Sequence, residues 1–225
     1  MSMHKSERRL IDGAVGRIEV ALDVPAHAPG GLAFIGHPHP LYGGTLENKV
    51  AATLARAFVG LGWLAVRSNF RGVGGSEGKH DHGIGETDDF VRLVDSAPRW
   101  LSDFAPAVDL PVALAGFSFG SFVAARAAQR LADDGRAPDH LVLVGSAAGK
   151  WDMPTVPAHT LVIHGEKDET IALADVLDWA RPQDLPVIVL PGADHFFHRR
   201  LSLLKRLVQM HVLAERSIDA PGQSD

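Results

Sequence analysis

The segment Gly116-Phe117-Ser118-Phe119-Gly120 places a serine between a short apolar run (112–116) and an Ala-rich stretch (118–131). A serine hydroxyl is a weak nucleophile near neutral pH, so it needs a histidine to take its proton and an acid to hold that histidine in one tautomer. Both types follow later apolar runs. His164-Gly165-Glu166-Lys167-Asp168 closes the run 160–164, and Pro191-Gly192-Ala193-Asp194-His195 follows the run 187–190. If these runs are parallel strands, the two segments are loops at strand carboxyl ends, where ligand-facing residues collect. The order Ser118, Asp168, His195 then predicts acyl transfer, with Ser118 as nucleophile, His195 as general base and Asp168 as the acid that orients it. Glu166 and His198 are the local competitors, and Asp194 is placed to orient a neighbouring loop instead.

The G-x-S-x-G spacing has a geometric reason. A strand that turns sharply into a helix lifts the serine above the sheet in a strained backbone, and the flanking positions must be small. The first turn of that helix has backbone N–H groups with no intrahelical partner, and these can stabilise charge developing on a substrate oxygen. Phe119 is expected to supply one of them.

The elements that must hold these residues are legible as an alternation of apolar runs with stretches of helical period, the pattern of a mostly parallel α/β sheet with helices on both faces. Residues 17–24 alternate with period two and are expected to form a half-exposed antiparallel strand at the edge. The runs 32–36, 63–68, 112–116, 141–144, 160–164 and 187–190 are continuously apolar and are expected to form the buried parallel core. Amphipathic stripes predict helices over 47–59 and 87–97, and Leu201, Leu204, Val208 and Val212 mark a final one. The stretch 145–159 is too short for a helical lid. The Gly-rich segment 71–78 lacks the Gly-Lys-Ser/Thr ending of a phosphate loop and is expected to be a mobile surface loop; the role expected for 67–72 is structural.

Composition bounds the rest. A 46 % hydrophobic share and 22 % charge are ordinary for one globular core, so a single domain over 17–214 is expected. An N-terminal segment, 1–16, has room for an edge strand, and a polar tail is expected over 215–225. The net charge of −5 with interspersed signs argues against a nucleic-acid partner. No apolar run suits a signal peptide or a membrane span, so a cytoplasmic location without membrane association is the expectation. Cysteine is absent, which removes disulfides and thiolate metal sites. His37/His39 and His80/His82 have H-x-H spacing, yet neither has an acidic partner at a recognisable ligand spacing, so no metal and no cofactor is expected.

The elbow, the H-G-x-x-D segment and the G-x-x-H segment together resemble the α/β-hydrolase superfamily over roughly 17–212. Within it the chain is most similar to small lidless bacterial hydrolases related to dienelactone hydrolase and to serine aminopeptidase-like esterases, although Ser118 stands where dienelactone hydrolase has cysteine. The resemblance implies an α/β-hydrolase fold without a lid domain, and a second oxyanion donor on the loop after an early strand. That loop reads Gly36-His37-Pro38-His39-Pro40; proline has no N–H to give, and the alignment leaves His39 as the donor. Tyr42, Phe117 and Phe196 are expected to line the substrate pocket. The expected substrate is a small-molecule ester or thioester of short to medium acyl length. Amide hydrolysis, cofactor-free perhydrolysis and non-catalytic small-molecule binding are the alternatives on the same fold.

Overall fold

In the computed structural model, which describes residues 5–101, 103–104 and 110–219, eight strands form one sheet in the order β1-β2-β4-β3-β5-β6-β7-β8. The strands are β1 (Lys5–Asp12), β2 (Arg17–Val24), β3 (Leu32–Gly36), β4 (Leu64–Ser68), β5 (Val112–Phe117), β6 (His140–Val144), β7 (Leu161–Gly165) and β8 (Val187–Leu190). The helices are α1 (Lys49–Val59), α2 (Ile84–Leu101), α3 (Phe119–Asp133), α4 (Leu173–Ala180) and α5 (Leu201–Asp219). The six apolar runs form β3 to β8, and every pairing among them is parallel.

Alternation of side chains sorts each strand between two cores. Leu32, Phe34, Leu114 and Leu143 face α2 and α3, where Phe90, Leu93, Val123 and Leu131 meet them. Ala33, Ile35, Ala115 and Val144 face the other way, onto Val50, Leu54 and Phe58 of α1 and Leu204, Val208 and Val212 of α5. Burial on both faces is why β3 to β7 read as unbroken apolar runs.

The structure corrects several expectations. Residues 17–24 do not form the edge, because β1 pairs with β2 antiparallel in a hairpin, Lys5 opposite Val24 and Asp12 opposite Arg17. The true edges are β1 and β8, and β8 is only partly buried, with Leu190 its one buried residue. α4 has just two buried residues, Val176 and Ala180, too thin a stripe to stand out as a periodic pattern. α5 runs to Asp219, past the tail boundary at 215; residues 220–225 and residues 1–4 of the N-terminal segment lie outside the described residues.

The Gly-rich segment is not a loose loop. The Ser76 hydroxyl donates to the Asn69 carbonyl (2.8 Å) and accepts from the Glu19 N–H (2.9 Å), while the N–H groups of Gly75 and Glu77 donate to the Glu19 carboxylate and the Arg17 carbonyl, both at 2.8 Å. These bonds stitch it to β2. The adjoining 67–72 segment is structural as expected: Arg67 makes a two-pronged contact with Asp23 (2.7 and 3.1 Å) and donates to the Leu46 carbonyl at 2.7 Å. Between β6 and β7 there is no helix, so nothing there roofs the carboxyl edge of the sheet.

Candidate active site

At the end of β5 the chain passes through Ser118 with φ 54° and ψ −122° before α3 begins. This conformation is rare for a residue with a side chain and costs on the order of 1–3 kcal/mol. The flanking glycines permit it by close approach. A Cβ on Gly116 would lie 2.0 Å from the Gly120 carbonyl oxygen, and one on Gly120 would lie 2.3 Å from the Gly36 oxygen. The turn is held by the Ser118 N–H donating to Val144 (2.9 Å) and by Ser121, whose hydroxyl donates to the Ser118 carbonyl (2.6 Å) and accepts from the Ala147 N–H (3.1 Å). Sequence reasoning missed Ser121, since a serine one turn into a helix carries no distinguishing signal.

His195 arrives on the loop between β8 and α5. Its Nε2 lies 3.1 Å from the Ser118 hydroxyl, and its Nδ1 lies 2.6 Å from the Asp168 carboxylate. An ionised Asp168 can only accept, so Nδ1 carries the proton and Nε2 is left to accept from the serine. All three side chains are buried or nearly so. The His195 ring lies on Phe117 (centroids 4.8 Å apart) and meets the Phe196 ring edge-on at 5.2 Å.

Asp168 is fixed from two sides. Its second oxygen accepts from the N–H groups of Thr170 (2.9 Å) and Ile171 (2.8 Å), the turn an aspartate makes with its own downstream backbone. Burial pushes its carboxyl upward, but the bonds from His195 and Ile171 and the nearby imidazoles outweigh this and hold it below the usual carboxylate range. His164 is fully buried beside it; its Nε2–H donates to the Ile171 carbonyl at 3.0 Å, and burial keeps this imidazole neutral by lowering its affinity for a second proton.

The rivals are engaged elsewhere. His198 pairs with Asp194 at 2.6 Å, so Asp194 orients that loop as expected, and Glu166 accepts from the Gly192 N–H at 2.7 Å. His198 sits in turns before α5. Among the described residues no group of three His, Cys, Asp or Glu side chains is arranged to hold a metal ion.

The loop after β3 folds back on itself, the His39 carbonyl accepting from Tyr42 and Gly44 (3.1 Å each). His37 anchors it: the Phe70 N–H donates to its Nε2 at 3.0 Å and its Nδ1 lies 2.6 Å from the Pro38 carbonyl. Burial drives its pKa down to about 4, so the ring serves as a neutral two-ended strut. The His39 and Phe119 rings then meet 4.9 Å apart, and burial followed by the neighbouring His80 lowers the His39 pKa.

A cavity of about 350 Å³ opens onto Ser118, lined among others by His39, Tyr42, Phe119, Trp151 and Ile171. Tyr42 is therefore at the site. Phe117 is not, being fully buried beneath His195, and Phe196 lines a neighbouring cavity instead. Trp151 was missed, although a lone tryptophan in the 145–159 connection was a signal; it stacks on Phe122 (5.1 Å, 27°) and walls the cavity. A sheet of this order, with serine, histidine and aspartate in contact on the loops at its carboxyl edge, defines an α/β hydrolase.

Comparison with known proteins agrees. A lidless α/β serine hydrolase from Xanthomonas campestris is 36 % identical over 99 % of each chain, with a TM-score of 0.81. An α/β serine hydrolase homologue from Coxiella burnetii is 34 % identical over 93 % of this chain and 98 % of its own, with a TM-score of 0.77. An uncharacterized Rickettsia prowazekii protein is 29 % identical, covering 92 % of this chain and 88 % of its own length. The thioesterase domain family matches residues 75–175, a stretch that holds Ser118 and Asp168 and stops before His195. The chain belongs to the lidless α/β serine hydrolases and is a hydrolase. Among the described residues no helix is long and apolar enough to cross a membrane.

Proposed function

We propose that the chain hydrolyses small-molecule carboxylic esters or thioesters of short to medium acyl length through an acyl-enzyme on Ser118. The observation that carries this reading is the position of His195, in hydrogen-bond reach of both Ser118 (3.1 Å) and Asp168 (2.6 Å). The Ser118 proton passes to His195 Nε2 as Oγ bonds to the carbonyl carbon, and the carbonyl electron pair moves onto oxygen. The N–H groups of Phe119 and His39 receive that negative oxygen. Collapse breaks the bond to the leaving group, which takes the proton from Nε2. Water then repeats the sequence on the acyl-enzyme and frees the acid. No cofactor enters these steps.

The substrate reading is supported by the cavity at Ser118, whose roughly 350 Å³ and aromatic walls suit a small acyl group, by the open carboxyl edge, and, for thioesters, by the thioesterase-domain match. The test is hydrolysis of p-nitrophenyl esters of increasing acyl length by the wild type and Ser118→Ala. The wild type should favour short and medium chains and the variant should lose turnover. A strong preference for long chains, or an active Ser118→Ala, would overturn the proposal.

A further inference from the structure

An oxyanion hole works only if its donors stand at a fixed separation, and here they come from different elements, His39 from the loop after β3 and Phe119 from the first turn of α3. The side chains of these two residues are where the rest of the fold can hold them. Tyr42 meets His39 at 4.7 Å but is 87 % exposed, too free to fix it. Two other rings touch both residues. Trp151 has its centroid 5.8 Å from His39 and 4.9 Å from Phe119, and it lines the Ser118 cavity. His80 lies 4.8 Å from His39 and 5.5 Å from Phe119, its side chain is buried, and it does not line that cavity. His80 therefore backs the pair from outside the space the substrate takes.

His80 is itself held. Its Nδ1 lies 2.9 Å from the carboxylate of Glu86, which is fully buried in the first turn of α2 and accepts from the N–H groups of Asp81 (2.9 Å) and Gly83 (2.8 Å). Its Nε2 is buried with no hydrogen-bond partner among the described residues, so the imidazole passes no hydrogen bond onward; apart from Glu86 it meets the rings of His39, Phe119 and His82. The backbone after it is tightly bent. His82 takes a left-handed φ of 50°, and Gly83 follows at 89°, where a Cβ would lie 2.4 Å from the Phe122 ring. Arg71 ties the start of the segment to Asp89 of α2 at 2.8 Å. Burying a carboxylate is costly unless it is well partnered, and a surface connection from β4 to α2 needs neither that carboxylate nor the bend.

From this arrangement, and resting on the acyl-transfer reading above with Phe119 and His39 as donors, we infer that His80 is a positioning residue: its ring, oriented by Glu86, sets the spacing of the two oxyanion donors by packing against both of their side chains. It touches no reacting atom and exchanges no proton. Without the ring His39 can drift relative to Phe119, and a misplacement of about 1 Å at a reacting centre costs on the order of a hundredfold in rate.

The test uses p-nitrophenyl acetate and its thiono analogue, in which sulfur replaces the carbonyl oxygen. Sulfur is larger and accepts hydrogen bonds weakly, so the ratio of kcat/KM for the two, each divided by its own rate with hydroxide, reads the fit of the oxyanion hole and cancels any general loss of active enzyme. Two variants separate the ring from its tie: His80→Gln keeps a donor for Glu86 and drops the ring, while His80→Phe keeps a ring and drops the donor. The wild type should favour the oxygen ester by at least roughly tenfold. His80→Gln should lose roughly 10–100-fold in kcat and bring the ratio toward one, and His80→Phe should keep most of the preference. Where only one variant folds, it decides alone: the ratio must fall in His80→Gln or hold in His80→Phe. A ratio unchanged in His80→Gln, or lost equally in His80→Phe, overturns the inference and leaves His80 as a partner for Glu86 only, with the hydrolase reading intact. A wild-type ratio near one, with ester hydrolysis still present, overturns it as well. A folded wild type that cleaves neither ester and no longer-chain p-nitrophenyl ester removes the acyl-transfer reading and the inference together.

Discussion

His37 should make the protein's stability fall with acidity by an amount that can be isolated. Its ring accepts the Phe70 N–H at Nε2, is fully buried, and has a pKa lowered to about 4 from the ordinary imidazole value of about 6.5. The folded state therefore binds this proton later than the unfolded chain does. Above about pH 6.5 both states are neutral and the residue contributes no pH dependence; between 6.5 and 4 only the unfolded chain is protonated, so stability declines as pH falls; below 4 the loss is complete. The shift of about 2.5 pK units at about 1.4 kcal/mol each gives a loss of about 3 kcal/mol from pH 7 to pH 4. His37→Gln removes the titrating group. It should be less stable than wild type at pH 7 by about 1–2 kcal/mol, through the Phe70 N–H left without its acceptor. Its further loss on going to pH 4 should nevertheless be smaller than that of wild type by about 3 kcal/mol. Urea titrations followed by circular dichroism at pH 7, 5.5 and 4 measure both quantities. Parallel stability–pH curves for the two proteins would refute the strut reading, because a ring that takes up its proton equally in both states has no acceptor role to protect.

Other consequences follow from the same geometry. Gly120→Ala sets a Cβ 2.3 Å from the Gly36 backbone oxygen; overpacking against main chain should cost about 1–3 kcal/mol or more in urea midpoint analysis and displace Ser118, with turnover falling further than stability. Arg67→Ala strands the largely buried Asp23 carboxylate, the pair being 8 % and 14 % exposed, and thermal or urea unfolding should register a loss of about 3–5 kcal/mol. Asp168→Asn leaves the shape intact but favours the wrong His195 tautomer, so stopped-assay kcat on a p-nitrophenyl ester should drop by roughly 10³–10⁴ with KM little changed.

What the sequence revealed and what it hid divide along physical lines. Parallel strands buried on both faces announce themselves as unbroken apolar runs, which is why β3 falls on its expected bounds and β4 to β7 lie within one residue of theirs; β8 keeps its expected bounds although it is only partly buried. Ser118, Asp168 and His195 were visible for a related reason: each sits just past such a run, and loops at strand carboxyl ends meet in space. Long-range pairing was less legible. Residues 1–16 left room for an edge strand, but nothing local says that Lys5–Asp12 pairs along the whole of β2 and displaces it from the edge, or that the Gly-rich segment is stitched to Glu19 and Arg17. Aromatic residues beside the site were misassigned because period alone does not tell a ring beneath His195, as Phe117 is, from one beside it, as Phe196 is. Trp151 and the paired cavities depend on how separate loops converge, which spacing does not encode.

The central claim is that Ser118 is a nucleophile activated by His195, and the most direct measurement is covalent labelling with a fluorophosphonate followed by peptide mapping. The account predicts a single adduct on Ser118, formed in wild type and abolished in both Ser118→Ala and His195→Ala, each checked to be folded. A folded wild-type protein that resists labelling, or an adduct on another residue, would contradict it.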